Sequence, residues 1–357
     1  MSCVFENTFL ESDRFLSYVL HGLTSIEVPI HLFGVYLIIF KTPKTMKSAK
    51  NSILQLHILC SIMDLMMNSL LSFYIFMPSP GGFPTGFMTT LGINPTCQTF
   101  LAFSSMLAVA LSFISFFENR YDVIVIGQIG RSCKRNIFRI LYFAANVVYV
   151  ELTMAYIFWR LPSVEEGRKV IFETLPCIPA HLVNNPFFIH LNARLPIIPT
   201  LSSTMILVIF TQGIYFVIYT SYHLFSAVEN VSKHTRSIQQ KFFVAMLLQA
   251  SIPTLLFFAP LICYYMIWRL FYYNQGMHTL NTLQFLSCFV AVYNNLLMIA
   301  AGCNGLFNTI VMILVHHPYR NAVKEMLWMR TITDNRTTFV ATLRPIVDQR
   351  ELVAIDG

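Results

Sequence analysis

Seven stretches of this chain are each long and apolar enough to cross a bilayer, and that pattern constrains the fold more than any motif. They run from Leu16 to Phe40, Asn51 to Met77, Thr96 to Phe117, Ile137 to Trp159, Thr200 to Phe225, Phe242 to Trp268 and Thr282 to Val315. Crossing ~30 Å of hydrocarbon takes about 20 apolar residues at ~1.5 Å each, and in lipid the backbone must bond to itself. The expected fold is an all-α membrane protein, a seven-transmembrane helix bundle. The last run exceeds one crossing, so either its start lies further on or its end protrudes into water. Of 357 residues, 55% are hydrophobic and 11% charged, against ~25% charged in a soluble domain. Most of the surface therefore cannot face water.

Basic residues set the orientation, because Lys and Arg resist translocation. The linkers after the first, third and fifth runs and the tail hold 17 of them; the amino terminus and the other linkers hold six, and Arg139 lies inside the fourth run. The amino terminus (residues 1–15) is expected outside and the carboxyl terminus in the cytoplasm. The opening residues lack the apolar core of a secretory signal, so the first helix is expected to serve as its own insertion signal. The sequons at Asn230 and Asn335 then face the cytoplasm and stay bare. The net charge of +7 is spread between apolar runs and not gathered in a stripe. That distribution points to a lipid bilayer as partner and to no nucleic acid.

No enzyme signature is present: G-x-S-x-G, H-E-x-x-H and G-x-x-x-x-G-K are all missing. The chain is read as neither an enzyme nor a holder of a cofactor or metal; His316 and His317, adjacent at a helix end, are badly placed to share an ion. Among the cysteines, Cys60, Cys263, Cys288 and Cys303 lie in spans, Cys133 is cytoplasmic, and Cys3, Cys97 and Cys177 reach the oxidising side. A bridge from Cys97 to Cys177 would pin the long linker after the fourth span over the bundle mouth. Cys3 competes for either partner, since connectivity is not readable from sequence.

Three acids interrupt the spans, where an ionised group costs at least ~2.5–3.5 kcal/mol. Asp64 reads either as an ion or proton site answered by Asn304 or Asn308, or as a hydrogen-bonded contact between helices. Glu27 and Glu151 are expected near enough to the outer interface to reach water. At the inner end of the third run stands Phe116-Phe117-Glu118-Asn119-Arg120-Tyr121. Arg120 there locks onto nearby carboxylates, offers its donors to a cytoplasmic partner, or snorkels as an anchor. In the sixth run, beside Gln249 and Pro260, Pro253 marks a hinge or a static bend. The tail, 316–357, opens with a candidate helix at 318–330 that puts Val323, Met326 and Leu327 on one face against the inner leaflet; a disordered tail from Asn321 is the alternative.

Taken in order, several short motifs resemble the nematode serpentine receptors of class H, within the Str chemoreceptor superfamily. They are Pro29-Ile30-His31, Gly34-Val35-Tyr36, Lys41-Thr42-Pro43-Lys44, Met46-Lys47, Leu56-His57, Phe117-Glu118-Asn119-Arg120, Gln240-Lys241-Phe242-Phe243, Gln249-Ala250-Ser251-Ile252-Pro253 and His317-Pro318-Tyr319-Arg320. The resemblance runs nearly end to end and implies a G-protein-coupled chemosensory receptor. Its implied partners are a small-molecule chemical cue and a heterotrimeric G protein, and its implied location is the plasma membrane of sensory neurons or their cilia. Glu118, Arg120 and Tyr121 resemble the acid-Arg-Tyr element of rhodopsin-like receptors, with Asn119 standing where those place the arginine, and no N-P-x-x-Y follows. The implied coupling face is Arg120 with Tyr121, the 226–241 linker and Pro318-Tyr319-Arg320. Gln98, Ser105, Tyr264 and Tyr265 are candidates for contacting the cue in the outer half, under the Leu161 to Pro199 loop. A transporter or a ligand-gated cation channel is the rival reading. Seven spans without repeats fit the first poorly, and an outside amino terminus fits an insect-odorant-type channel poorly.

Overall fold

The computed structural model of the chain describes residues 9–76, 81–127, 133–174, 178, 180–191, 197–226, 232–273 and 292–328. The helices are Asp13–Lys41 (α1), Lys47–Leu65 (α2), Phe87–Thr90 (α3), Pro95–Tyr121 (α4), Cys133–Trp159 (α5), Val164–Thr174 (α6), Ala180–Val183 (α7), Ile197–Phe225 (α8) and Lys233–Tyr273 (α9). They are followed by Val292–Gly302 (α10), Asn304–Val315 (α11) and a helix over residues 317–328 (α12). Single π-helical turns, Met66–Leu71 and Asp122–Ile126, extend α2 and α4.

Among the described residues, five helices are long and apolar enough to cross a membrane, namely α1, α2, α4, α5 and α8, each with any extension; α10 and α11 together make a sixth, bent by 45°. The sixth apolar run lies within α9, which is helical through both Pro253 and Pro260. Residues 282–291 of the seventh run lie outside the described residues. α4 sits centrally, packing on α2, α8 and α5, while α11 packs on α9, α2 and α1. Leu207, Ile140 and Ile218 are exposed on α8 and α5, as lipid-facing side chains are in a bundle whose interior is filled by its own helices.

Two sequence expectations about the spans need correction. The second run does not stay helical to Met77. It ends at Leu71, where Ser72 turns left-handed (φ 45°) and donates its hydroxyl to Asn68 O at 2.7 Å. The next residues form a strand, so the fold is not purely α. Phe73–Ile75 (β1), Gly81–Pro84 (β2) and Ile189–His190 (β3) make an antiparallel sheet in the order β1-β2-β3, with Tyr74 opposite Phe83 and Gly82 opposite Ile189. Glycine is required at 86, where a Cβ would overlap the Leu70 carbonyl.

The sheet forms one end of the bundle. Phe76, Phe83, Tyr74 and Phe188 pack ring against ring beneath it. The Tyr74 hydroxyl donates to Glu11 O at 2.6 Å, and Asn295 of α10 donates to Leu10 O at 2.8 Å. The linker after α5 contributes β3 and also α6, whose start is a reciprocal cap: Glu166 N donates to Ser163 Oγ, and Ser163 N to Glu166 Oε2. Arg168 of α6 then donates to Val183 O at 3.0 Å, tying the linker's two helices together.

Candidate functional site

The bundle interior carries a column of buried polar side chains that begins where α10 and α11 meet. The residue that precedes α11, Cys303, offers no side-chain cap. The carboxylate of Asp64, on α2, supplies one instead: Gly305 N donates to Oδ1 and Leu306 N to Oδ2, both at 2.8 Å. A carboxylate answering the free N–H groups of a helix start is stabilised by them and by the helix dipole. The arrangement needs glycine on both sides of the break, since a Cβ at Gly305 would lie 2.5 Å from Asp64 Oδ2 and one at Gly302 would overlap Asn68 Oδ1. The bend in the seventh run thus occurs without a proline.

Of the two readings of Asp64, the hydrogen-bonded contact between helices matches the contacts it makes, and neither Asn304 nor Asn308 is among its partners. Its partners are the α11 backbone and His31 Nε2 at 3.2 Å, while Asn308 Oδ1 accepts from Gln249 of α9 at 3.3 Å. A correction concerns Glu27, which does not reach water. It is 1% exposed, and its Oε2 accepts from Asn68 Nδ2 at 2.7 Å; Asn68 also donates to Gly302 O at 2.9 Å. Thr309 Oγ1 lies 3.2 Å from His31 Nδ1 and 3.4 Å from His57 Nδ1, and His57 Nε2 donates to His31 O at 3.0 Å. Glu151 accepts from Ser104 at 3.0 Å.

From Asn308 the column continues away from the sheet. Gln249 Oε1 lies 2.9 Å from His316 Nε2, just past the end of α11. Burial, with the Arg120 guanidinium nearby, pushes the His316 imidazole down to about 4, so it is neutral at physiological pH and donates from Nε2. Tyr319 is fully buried and lies 2.9 Å from Thr42 Oγ1; the Thr42 hydroxyl donates to Ile38 O, so the tyrosine is the donor. Tyr319→Phe is expected to remove that bond, destabilising by about 1 kcal/mol and lowering the thermal midpoint of purified protein by a few degrees.

Arg120 closes the column. The helix of the third run continues past Phe117 to Tyr121 and on through the π turn, and Glu118 and Arg120 on it are both buried. Arg120 is 7% exposed, its guanidinium lies 4.3 Å from the Phe242 ring centroid, and its Nε and Nη2 have no hydrogen-bond partner among the described residues. Glu118 is not its partner. Residues two apart on a helix point to nearly opposite sides, and Glu118 turns with Asp122 toward α5. There Arg139 Nη2 donates to Glu118 Oε2 at 2.7 Å and Arg135 Nη2 to Glu118 Oε1 at 2.9 Å. Arg135 Nε also reaches Asp122 Oδ1 at 3.1 Å, and Arg139 Nη1 reaches Asp122 Oδ2 at 3.3 Å. This two-acid, two-arginine lattice was missed from sequence. Its signal was available: both pairs have i, i+4 spacing, and Arg139 is a base inside an apolar run. Tyr121 faces a third way, against Tyr215, Phe216 and Tyr219 of α8.

The remaining expected site residues fall in several places. Pro318 lies in the first turn of α12, where its missing N–H costs nothing, and Arg320 donates to Leu314 O at 3.0 Å. Along α12, Ala322 is buried and Leu327 and Trp328 are exposed. Gln98 is fully buried, donating to Ile93 O at 2.7 Å and accepting from Thr89 at 3.2 Å, so it holds a loop. Ser105 donates to Ala102 O within its own helix. The side chains of Tyr264, Tyr265 and Pro253 and the whole of Cys177 lie outside the described residues; Cys97 is exposed with a free thiol.

The sequence matches the family model described as serpentine type 7TM GPCR chemoreceptor Srh over residues 11–329. It is 26% identical over 330 residues to serpentine receptor class H-72 of Caenorhabditis elegans, an alignment that covers 91% of this chain and 89% of that protein.

Proposed function

Because the chain belongs to the Srh family of serpentine 7TM GPCR chemoreceptors, we propose that it is a seven-span receptor that binds a small-molecule cue in the outer half of the helix bundle and signals through Arg120 to a heterotrimeric G protein. The amino terminus is outside and the carboxyl terminus cytoplasmic, in keeping with the excess of Lys and Arg in alternate linkers. The membrane is the plasma membrane of a sensory neuron or its cilium.

One observation carries the reading. Arg120 is a buried cation whose Nε and Nη2 have no hydrogen-bond partner among the described residues and whose guanidinium lies over the Phe242 ring, and its neighbouring acid is already bound by Arg135 and Arg139. A buried donor left without an acceptor costs about 1–3 kcal/mol, more when charged, so the arrangement favours any partner that brings carbonyl or carboxylate oxygens to that end. A cue that binds better to the arrangement in which Arg120 is uncovered shifts the population toward it. The buried column from Asp64 through Asn308, Gln249 and His316 connects the break near the sheet half to the Arg120 end.

The test is a cell reporter with a promiscuous Gα, screened with volatile and water-soluble small molecules. A response is expected in the wild type, and none from Arg120→Glu at matched surface density. A full response from that variant would sink the assigned role of Arg120. Cue-evoked current that survives G-protein blockade would favour a channel instead.

A further inference from the structure

Glu27 and His31 on α1 and Asp64 on α2 each present one ligand atom, and the three atoms lie within 4.8 Å of one another with all three residues buried. We propose that they form an intramembrane binding site for a divalent transition-metal cation of the zinc type, clamping α1 to α2 beside the break between α10 and α11.

The hydrogen-bond inventory carries this. When the Thr309 hydroxyl donates to Gly305 O at 2.8 Å, it accepts from His31 Nδ1 at 3.2 Å. Nδ1 then holds the imidazole proton, and in that neutral tautomer Nε2 presents a lone pair. That lone pair faces Asp64 Oδ2 at 3.2 Å, an acceptor opposite an acceptor. A cation between them resolves the conflict. The geometry matches the usual support of a metal-bound histidine, whose distal N–H is donated to a neighbour that fixes its tautomer.

A proton on Nε2 would also fill that gap, but it leaves the second observation unexplained. Glu27 Oε1 is buried with no hydrogen-bond partner among the described residues, while Oε2 accepts from Asn68. An ionised Oε1 is an uncompensated acceptor there, and a protonated one is a donor with no acceptor. Coordination by the ionised oxygen supplies the missing partner, the proton being released on binding. Two carboxylates at this separation and depth repel each other and favour neutralisation, which a divalent cation supplies in one step. The donor set selects the class: an imidazole nitrogen with two carboxylate oxygens suits zinc and its neighbours, whereas calcium and magnesium take oxygens alone.

The experiment uses the full chain in lipid nanodiscs, with zinc chloride and magnesium chloride as probes. Equilibrium dialysis should retain about one zinc per protein, with the thermal midpoint rising with zinc by mass action and not with magnesium. Glu27→Gln and His31→Gln should each weaken retention by about tenfold or more, while His317→Gln, outside the site, should not. With Cu(II) as a spectroscopic probe, nitrogen hyperfine splitting from one imidazole should appear and vanish in His31→Gln. Should the site variants fail to fold, the wild type alone still decides. Absence of stoichiometric retention, an equal response to magnesium, or nitrogen splitting that persists in a folded His31→Gln protein would each overturn the assignment. None of these readouts requires a cue or a G protein, so the outcome is independent of the receptor function.

Discussion

Asp64→Ala is expected to remove most of the folded protein from the cell surface. The substitution strips the acceptor from two buried N–H groups at the start of α11, and each orphaned buried donor costs about 1–3 kcal/mol. It also removes the side chain that faces His31 of α1 at 3.2 Å. The two donors together, about 2–6 kcal/mol, reach the lower end of a typical domain's stability margin of about 5–15 kcal/mol. Asp64→Asn, which keeps one carbonyl acceptor, should fall between the alanine variant and the wild type. Gly305→Ala attacks the same contact from the other side, because its Cβ would press on the carboxylate at 2.5 Å and on Cys60 O at 2.8 Å. Surface biotinylation together with the melting midpoint in detergent reads all three. A wild-type surface level for Asp64→Ala would show that the cap carries no stability.

Glu118 and Phe242 should separate two effects that are joined in rhodopsin-like receptors. Glu118→Gln weakens an acid bound by two arginines whose side chains are 20% and 25% exposed. Breaking a buried ion pair costs about 3–5 kcal/mol, and the partial exposure of the arginines places this case at the lower end of that range. The expected result is a marked fall in folded protein with no rise in basal signalling, because Glu118 does not hold Arg120. Phe242→Ala removes the aromatic seat at 4.3 Å from the guanidinium, a contact worth up to about 2 kcal/mol when desolvated. It should raise basal signalling several-fold per surface receptor, as Arg120 becomes easier to uncover. Cue-independent Gα activation normalised to surface density measures both. Basal activation by Glu118→Gln, with none from Phe242→Ala, would restore the acid as the lock.

What could be read along the chain differs by residue for identifiable reasons. The Phe117-Glu118-Asn119-Arg120 segment was visible as an acid and a base at a helix end, and its helix could be placed. The faces were also partly legible, since Glu118 and Asp122 are four apart and share a side, as do Arg135 and Arg139. Their meeting across two helices was not, because the rotation of α4 against α5 depends on packing along both. Asp64 stood out as an acid in an apolar run, yet its true partners are backbone groups, which carry no sequence mark. Glu27 was misplaced for a related reason: depth in a span does not say whether a side chain points to lipid, water or another helix, and here it points to Asn68.

By itself the sequence determined the solvent of this protein, the helical state and approximate extent of its apolar runs, and its membership of the Srh family. Hydropathy over twenty residues is a local, additive property, and lipid leaves an isolated span no choice but helix. Only the tertiary structure decided where the seventh run breaks, that residues after Leu71 pair into a sheet with the distant Ile189–His190, and which of the buried acids meets which base. Those outcomes are contacts between segments far apart in the chain. Their energies depend on approach distances, such as the fit of Gly302 and Gly305 against α2, that exist only once the helices have come together.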